Sequence, residues 1–435
     1  MAIAASPRIK GIQRLALGML VLGGVINYVD RATLAVGSIF IQHDLGITVA
    51  DMGLLLSAFL WAYAFSQLPT GGLVDRLGPR LLLGLGMFLW SLAQVLGGLV
   101  GSFGQFIGAR VLLGIGEAPQ FPSGARVVRD WFNVRGRGTA TGIFNCASSL
   151  GSFIAVPLLT VLMLAFGWRW MFIIMGIAGI AVAILWWTLH RDPLQVDLTA
   201  EERAYLTEGD TTGHAQRATF AEWRRLFSYK TTWGMIFGFF GTIYVTWIYT
   251  AWLPFYLEHE RHISVGKTGL LAAIPFFWGV VGGLLGGWLV DVLMRRGVSP
   301  MGSRKYPMAV SLVGIAVFTA LTAIAPSNTV ALVCISCAMF LAYISSSTAW
   351  AMASVAAPSN CTASIGAIQN FGGYLGGALA PLVTGLIVQA TGSFSPALYV
   401  GSAVCLVAAL LYSLLVGEAI TMEREDPLAG RAYAD

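Results

Sequence analysis

The chain has 435 residues, 57% of them hydrophobic and only 11% charged, where a soluble domain carries roughly 25% charged residues. That excludes a soluble globular domain and places the chain in a bilayer. The net charge of +5 is no nucleic-acid signal here, because most basic residues fall outside twelve apolar runs and largely on one side of them, each run able to cross roughly 30 Å of hydrocarbon as a helix.

Residues 1–13 read as a short basic tail carrying Arg8 and Lys10. Spans are expected at about 14–42, 52–74, 81–103, 104–128, 138–166 and 168–189, joined by short loops as in antiparallel hairpins. The first run is too long for a signal peptide, has no convincing small-residue cleavage site and contains Asp30 and Arg31, so it reads as a retained span. From His190 to Lys230 the composition turns polar, and Thr199 followed three residues on by Glu202 fits a capping box for a short surface helix. Six further spans follow at about 231–257, 268–293, 307–325, 329–353, 362–390 and 395–417. The organisation is therefore a six-helix bundle over 1–189, a linker over 190–230, a second bundle over 231–417 and a tail over 418–435.

Alternate assignment of the loops puts about 21 of the 26 Lys and Arg residues on one side. Three, Arg169, Arg261 and Lys267, fall on the other, and Arg31 and Arg110 lie inside spans. That asymmetry predicts both termini on the cytoplasmic side. Cys146, Cys334, Cys337 and Cys405 fall in apolar runs, where Cys acts as a small hydrophobe. Cys334 and Cys337 have no Cys or His clustered near them in sequence, so neither a metal nor a cofactor is expected. The sequon Asn360-Cys361-Thr362 falls on the cytoplasmic side by this topology and carries no expectation.

An internal echo links the halves. Gly71-Gly72-Leu73-Val74-Asp75-Arg76-Leu77-Gly78-Pro79-Arg80 follows the second span, and Gly286-Gly287-Trp288-Leu289-Val290-Asp291 with Arg295, Arg296 and Gly297 follows the eighth. Each has a Gly pair, an Asp and then basic residues closing a turn. Ordinary helix-terminus electrostatics explains one such turn but not its repetition. Duplication explains both, and parallel halves of this kind build a transporter class whose substrate site lies near the midplane. In this reading Gly71, Asp75, Arg76, Gly78, Arg80 and Asp291 belong to conformational loops.

Charges in hydrocarbon cost several kcal/mol and persist where they serve a polar interior. Four are expected in the membrane core, Asp30, Arg31, Arg110 and Glu117, all from the first half. Arg110 and Glu117, seven residues apart, share a helix face but stand about 10.5 Å apart along it. Arg110 is therefore expected to meet a carboxylate on another helix, with Asp30 the obvious one. No His lies deep in a span, which leaves Asp30 and Glu117 as proton carriers. Substrate binding that draws an arginine away from an acid favours its protonation. Arg31 is the preferred anion contact and Arg110 the second, because a guanidinium offers a planar fork to a carboxylate. Polar residues available to a hydroxylated substrate are Asn27, Tyr28, Tyr63, Gln67, Asn145 and Ser148, and in the second half Tyr244, Tyr249, Ser346, Ser347, Thr348, Gln369 and Asn370. Trp247, Trp252, Phe276, Phe277 and Trp278 either line a pocket or form interfacial packing.

The loop after span two resembles the signature loop of the major facilitator superfamily. Asn27-Tyr28-Val29-Asp30-Arg31-Ala32-Thr33-Leu34, with Arg110 and Gly114-Ile115-Gly116-Glu117-Ala118-Pro119-Gln120-Phe121-Pro122, is similar to its anion:cation symporter branch. That branch includes bacterial galactonate, glucarate and hexuronate transporters, sialin and the vesicular glutamate transporters. The resemblance implies an all-α membrane protein of twelve helices in two pseudo-symmetric bundles. It implies a monomer in the bacterial inner membrane carrying an organic anion, most simply a sugar acid, with protons. It also implies proton coupling through Asp30 and Glu117, and puts Tyr28, Tyr63 and Asn370 near the substrate. Two departures stand out. Sugar-acid members carry a Gln in span five where this chain has Ser148, after Asn145-Cys146-Ala147, and an Asn in span eleven where it has Tyr374. A less hydroxylated or aromatic carboxylate is thus the rival substrate. A drug antiporter is disfavoured, because its span-five proline-glycine motif is not recognisable around Gly151 to Pro157. An intramembrane enzyme would need a nucleophile-base set that the spans do not supply, and a receptor would need a signalling domain.

Overall fold

The computed structural model describes residues 5–208, 220–356 and 361–421, apart from the side chains of residues 75, 134, 135, 149, 220–222 and 363. Among these residues the chain is helical, with no strand. The first half comprises α1 (Pro7–Val36) with its short continuation α2 (Ser38–Leu45), α3 (Val49–Leu77), α4 (Pro79–Leu99), α5 (Phe103–Glu117), α6 (Gln120–Trp131) and α7 (Val134–Leu189). The linker carries α8 (Ala200–Thr207) and α9 (Phe220–Arg225). The second half comprises α10 (Lys230–Phe255), α11 (Val265–Leu271), α12 (Ala273–Arg295), α13 (Gly302–Ala323), α14 (Asn328–Ala356), α15 (Thr362–Thr391) and α16 (Ser395–Leu415).

Ten of the helical segments are long and apolar enough to cross a membrane, a test of length and composition alone. The count of twelve is reached through two irregular segments. The 56-residue α7 holds two spans, broken where Gly167 adopts φ 81°. α5 and α6 together make one span interrupted at Ala118-Pro119, neither piece being long enough alone.

Local chemistry sets several boundaries. Thr48 and Asp51 form a reciprocal capping box at the start of α3, and Thr199 with Glu202 does the same for α8, where the sequence places it. The turn between α3 and α4 passes through Gly78 at φ 80°, a backbone state that only glycine adopts without strain. The echoed turn after α12 has Gly297 at φ 84°. The duplication read from sequence therefore has a backbone counterpart.

One boundary differs from expectation. The basic tail is not free, because α1 begins at Pro7 with Ser6 as its N-cap. Its polar residues are held by the linker and by the end of α6: Ser6 Oγ donates to Glu202 Oε1 at 2.8 Å, Arg8 donates to the Asp197 carbonyl at 2.9 Å, and Gln13 donates to Tyr205 Oη at 3.3 Å and to the Trp131 carbonyl of α6 at 2.7 Å. Arg80 adds bonds to Gln195 and to the Trp187 carbonyl. The first part of the linker thus docks on the first bundle. The hydrogen bond from Ser6, with a backbone bond at Thr199, holds the Glu202 carboxyl below its ordinary range.

The halves meet mainly at the end of the molecule away from the termini. There α3 crosses α15 so closely that a methyl group on Gly53 would fall 2.7 Å from the Pro381 carbonyl oxygen, and one on Gly385 would fall 2.9 Å from that of Val49. Ser57 donates to the Ala378 carbonyl at 2.6 Å, and the Ala50 N–H donates to Gln389 at 2.8 Å. On the other flank a methyl on Gly269 of α11 would meet Thr160 of α7 at 2.8 Å. Between the halves, on the terminus side of these crossings, lies a cavity.

Candidate functional site

The cavity measures about 680 Å³ and draws its walls from both halves. Tyr28 and Arg31 come from α1, Tyr63 and Gln67 from α3, and Asn145, Ser148 and Ser152 from α7. Opposite them stand Thr246, Trp247 and Thr250 of α10, Tyr343, Ser346, Ser347 and Trp350 of α14, and Asn370 and Tyr374 of α15.

Arg31 is the side chain that couples the wall to what lies behind it. It is 4% exposed, and its Nε donates to Glu117 Oε2 at 2.7 Å. Its Nη2 has no hydrogen-bond partner. The rings of Tyr28, Tyr63 and Phe59 lie 4.7, 4.8 and 5.2 Å from its guanidinium carbon, so the cation is held by ring faces as well as by its counterion. Nε is therefore committed to Glu117, while the side chain as a whole forms part of the cavity wall.

The carboxylate of Asp30 faces a different neighbour. Gln94 of α4 donates to Asp30 Oδ1 at 3.2 Å and to Thr33 Oγ1 at 3.0 Å, and Asp30 itself is fully buried. The expected Asp30–Arg110 pair does not form: no ion pair joins them among the described residues. Arg110 instead lies under the Phe59 ring at 5.2 Å, with its Nε and Nη1 unpartnered. The reason is register. Asp30 and Arg31 are adjacent, so about 100° of helical turn separates them. Once Arg31 points at Glu117, Asp30 points at α4.

Of the sequence candidates for substrate contact, Arg31, Tyr28, Tyr63, Asn370, Asn145, Ser148 and Ser347 line the cavity, as do Gln67 and Ser346. Asn27, Arg110 and Gln369 do not; Asn27 is fully buried among the helices, and Gln369 donates to the Ala349 carbonyl at 3.2 Å. Tyr249 bonds Thr319 at 3.2 Å, away from the cavity. Tyr244 and Thr348 are buried outside the lining. The aromatic cluster divides: Trp247 and Phe276 line the cavity, Trp252 packs on Phe255 and Phe394, and Phe277 and Trp278 are about half exposed at 48% and 45%.

The two halves are also joined across the cavity by a polar chain. Gln67 donates to Tyr63 Oη at 2.7 Å, and Asn370 donates to Gln67 Oε1 at 3.2 Å. Tyr374, the ring gained in span eleven, stacks at a tilt on Tyr63 with centroids 4.8 Å apart. Sequence reasoning missed Gln94, whose signal was an amide alone in an apolar run. It also missed Tyr343, Thr246, Thr250 and Trp350, which carry no signal apart from their place on the lining face.

The turn-loop residues lie at the terminus end. Gly71, Arg76 and Asp291 are exposed, the Asp75 side chain is outside the described residues, and Asp192 packs over Gly78, its Oδ1 accepting from the Arg80 N–H at 3.3 Å. Among the described residues no group of Asp, Glu, His and Cys side chains is arranged to hold a metal ion.

Comparison with known proteins places this geometry in a family. The chain is 43% identical to a probable L-galactonate transporter of Escherichia coli strain K12, over 98% of this chain and 94% of that one. It is 36% identical to the D-galactonate transporter of Escherichia coli O6:H1, covering 93% and 95% of the two chains. It is 34% identical to a probable galactarate/D-glucarate transporter of Bacillus subtilis, covering 92% and 90%. Among solved structures, a bacterial homolog of the human lysosomal transporter Spinster superposes with a TM-score of 0.77 at 20% identity, over 95% of this chain and 98% of that one. The D-xylose-proton symporter superposes at 0.74 with 15% identity, over 93% and 98%. Residues 20–381 match the profile of the Major Facilitator Superfamily, so the chain, with its twelve helices in two bundles about a central cavity, belongs to that superfamily of membrane transporters and is not an enzyme.

Proposed function

We propose that this protein takes up an organic anion, a sugar acid, by symport with protons across the bacterial inner membrane, through alternating access of its central cavity. The observation that carries this reading is the guanidinium of Arg31, which donates to the Glu117 carboxylate through Nε and belongs to the cavity wall. A substrate carboxylate and the Glu117 carboxylate compete for the same cation. Protonation of Glu117 frees Arg31 to hold the substrate as a charge-assisted fork; loss of that proton returns Arg31 to Glu117 and releases the substrate. Asp30, adjacent to Arg31 in sequence and held by Gln94 of α4, is the second proton carrier. The names of the curated relatives, galactonate and galactarate/D-glucarate transporters, support the sugar-acid class.

In this reading Tyr28, Tyr63, Asn145, Ser148, Ser347 and Asn370 contact the substrate, and Arg110 tunes the acids from behind Phe59. Gly71, Asp75, Arg76, Gly78, Arg80 and Asp291 shape the turns about which the bundles 1–189 and 231–417 rock. The first part of the linker, 190–208, rides with the first bundle, and the protein works as a monomer with both termini cytoplasmic. A less hydroxylated or aromatic carboxylate is the second reading, supported by Tyr374 and the Trp247 and Trp350 rings in the cavity wall.

The test is uptake into proteoliposomes of labelled sugar acids beside aromatic and short-chain acids, with and without an inward proton gradient. Gradient-driven accumulation of sugar acids that is lost in Asp30→Asn and Glu117→Gln is the expected result. Uptake indifferent to the gradient and to both substitutions removes proton coupling. Uptake of aromatic acids alone moves the substrate to the second reading.

A further inference from the structure

We infer that the transported anion carries one carboxylate at one end and an uncharged, hydroxylated remainder, so that the protein accepts monoacids of the aldonate type and discriminates against the corresponding diacids. The inference rests on the organic-anion reading above and adds the charge count of the substrate, which that reading leaves open.

The argument comes from what the cavity offers to charge. Among the described residues that line it, Arg31 is the one formally charged side chain. The second guanidinium in this part of the membrane, Arg110, is 2% exposed, lies under the Phe59 ring and does not reach the cavity. The Arg31 guanidinium carbon lies 4.7 and 4.8 Å from the Tyr28 and Tyr63 rings, and it is the single cation in the wall that could meet a substrate carboxylate. The remaining polar lining is neutral. It includes amides at Asn145 and Asn370 and hydroxyls at Ser152, Thr246, Ser346 and Ser347. Hydroxyl and amide groups pair with the hydroxyls of a polyol chain at little electrostatic cost. A second carboxylate on the far end of a six-carbon chain would lie against them with no cation to meet it, and a desolvated charge without a partner is what polar sites reject most strongly.

The experiment is competition and direct binding with a matched pair, a hexonate and the hexarate of the same stereochemistry, which differ in the oxidation state of one terminal carbon. Binding is followed by calorimetry on the purified protein, and uptake by inhibition of labelled hexonate transport in proteoliposomes. The expected result is that the hexarate binds and inhibits at least about tenfold more weakly than the hexonate. Ser346→Arg, which places a cation on the opposite wall, should narrow that ratio by raising hexarate affinity. Equal or tighter binding of the hexarate by the unaltered protein overturns the inference, whatever the variant does. If neither acid binds while another anion is transported, the sugar-acid reading fails and this inference fails with it. If both bind equally and uptake remains gradient-driven, the transport reading stands and only the charge count falls.

Discussion

Arg31 donates to Glu117 through Nε and stands in the cavity wall, so a substitution there acts on two interactions at once. Arg31→Lys preserves the charge but reduces the planar fork to a point. A lysine that pairs with Glu117 has no second edge to offer. We expect the substrate concentration for half-maximal uptake to rise at least about tenfold, with protein yield and monodispersity retained, as measured in proteoliposomes. Unchanged uptake kinetics would show that the anion is held elsewhere. The four membrane charges were legible in the sequence because charge in an apolar run stands out. Their pairing was not, because it depends on how α1, α4 and α5 are rotated against one another. The same limit applies to Gln94 and to the residues set apart from the cavity, Asn27 and Gln369. Residue type marks a side chain as polar, but the register of its helix decides whether it faces the cavity or a neighbouring helix.

Among the elements, α3 and α15 cross closely, and we expect that crossing to close the end of the cavity away from the termini. Gly53 and Gly385 permit it, since side chains at either position would collide with backbone atoms of the other helix. Backbone cannot swing aside as a flexible side chain can. Gly53→Leu and Gly385→Leu should each hold that end apart, cutting uptake by roughly tenfold or more while leaving helix content unchanged. Spin labels placed on α3 and α15 beyond the crossing should report a longer separation; an unchanged distance with full uptake would mean the crossing is not the closure. The linker offers a second element-scale expectation. Hydrogen bonds in the folded state hold Glu202 below its ordinary carboxyl range. Its share of the docking is therefore present above the usual glutamate range and is lost as pH falls through the lower, folded value. Hydrogen exchange of α8 should accelerate on acidification through that window, and Glu202→Gln should flatten the dependence. The capping box made α8 legible in advance. The helical start at Pro7 was misread, although Ser6-Pro7 is a good helix-start signal, because the basic residues around it look like a solvated tail until their linker partners are seen.

For the molecule as a whole, hydropathy and the echoed turns sufficed for twelve helices in two related bundles, since each span must satisfy its backbone internally and declare itself by length. Less legible were the broken span at Ala118-Pro119 and the fused pair in α7, where the count of helices and the count of spans part company. The cavity was legible only as a location. Its lining comes from eight helices, and several of its members are ordinary serines, threonines and aromatics that gain their meaning from position alone. One feature of that lining has an optical side. Of the fourteen tryptophans in the chain, Trp247 and Trp350 face the cavity, whereas Trp90, Trp131, Trp186 and Trp252 are sealed in helix packing. The indole emission of the protein therefore contains a small component exposed to whatever occupies the centre, above a large background that is shielded from it. A saturable change in emission on adding substrate, abolished in the Trp247→Phe/Trp350→Phe double variant, would turn the native chain into its own binding sensor, with no label attached and no membrane gradient required.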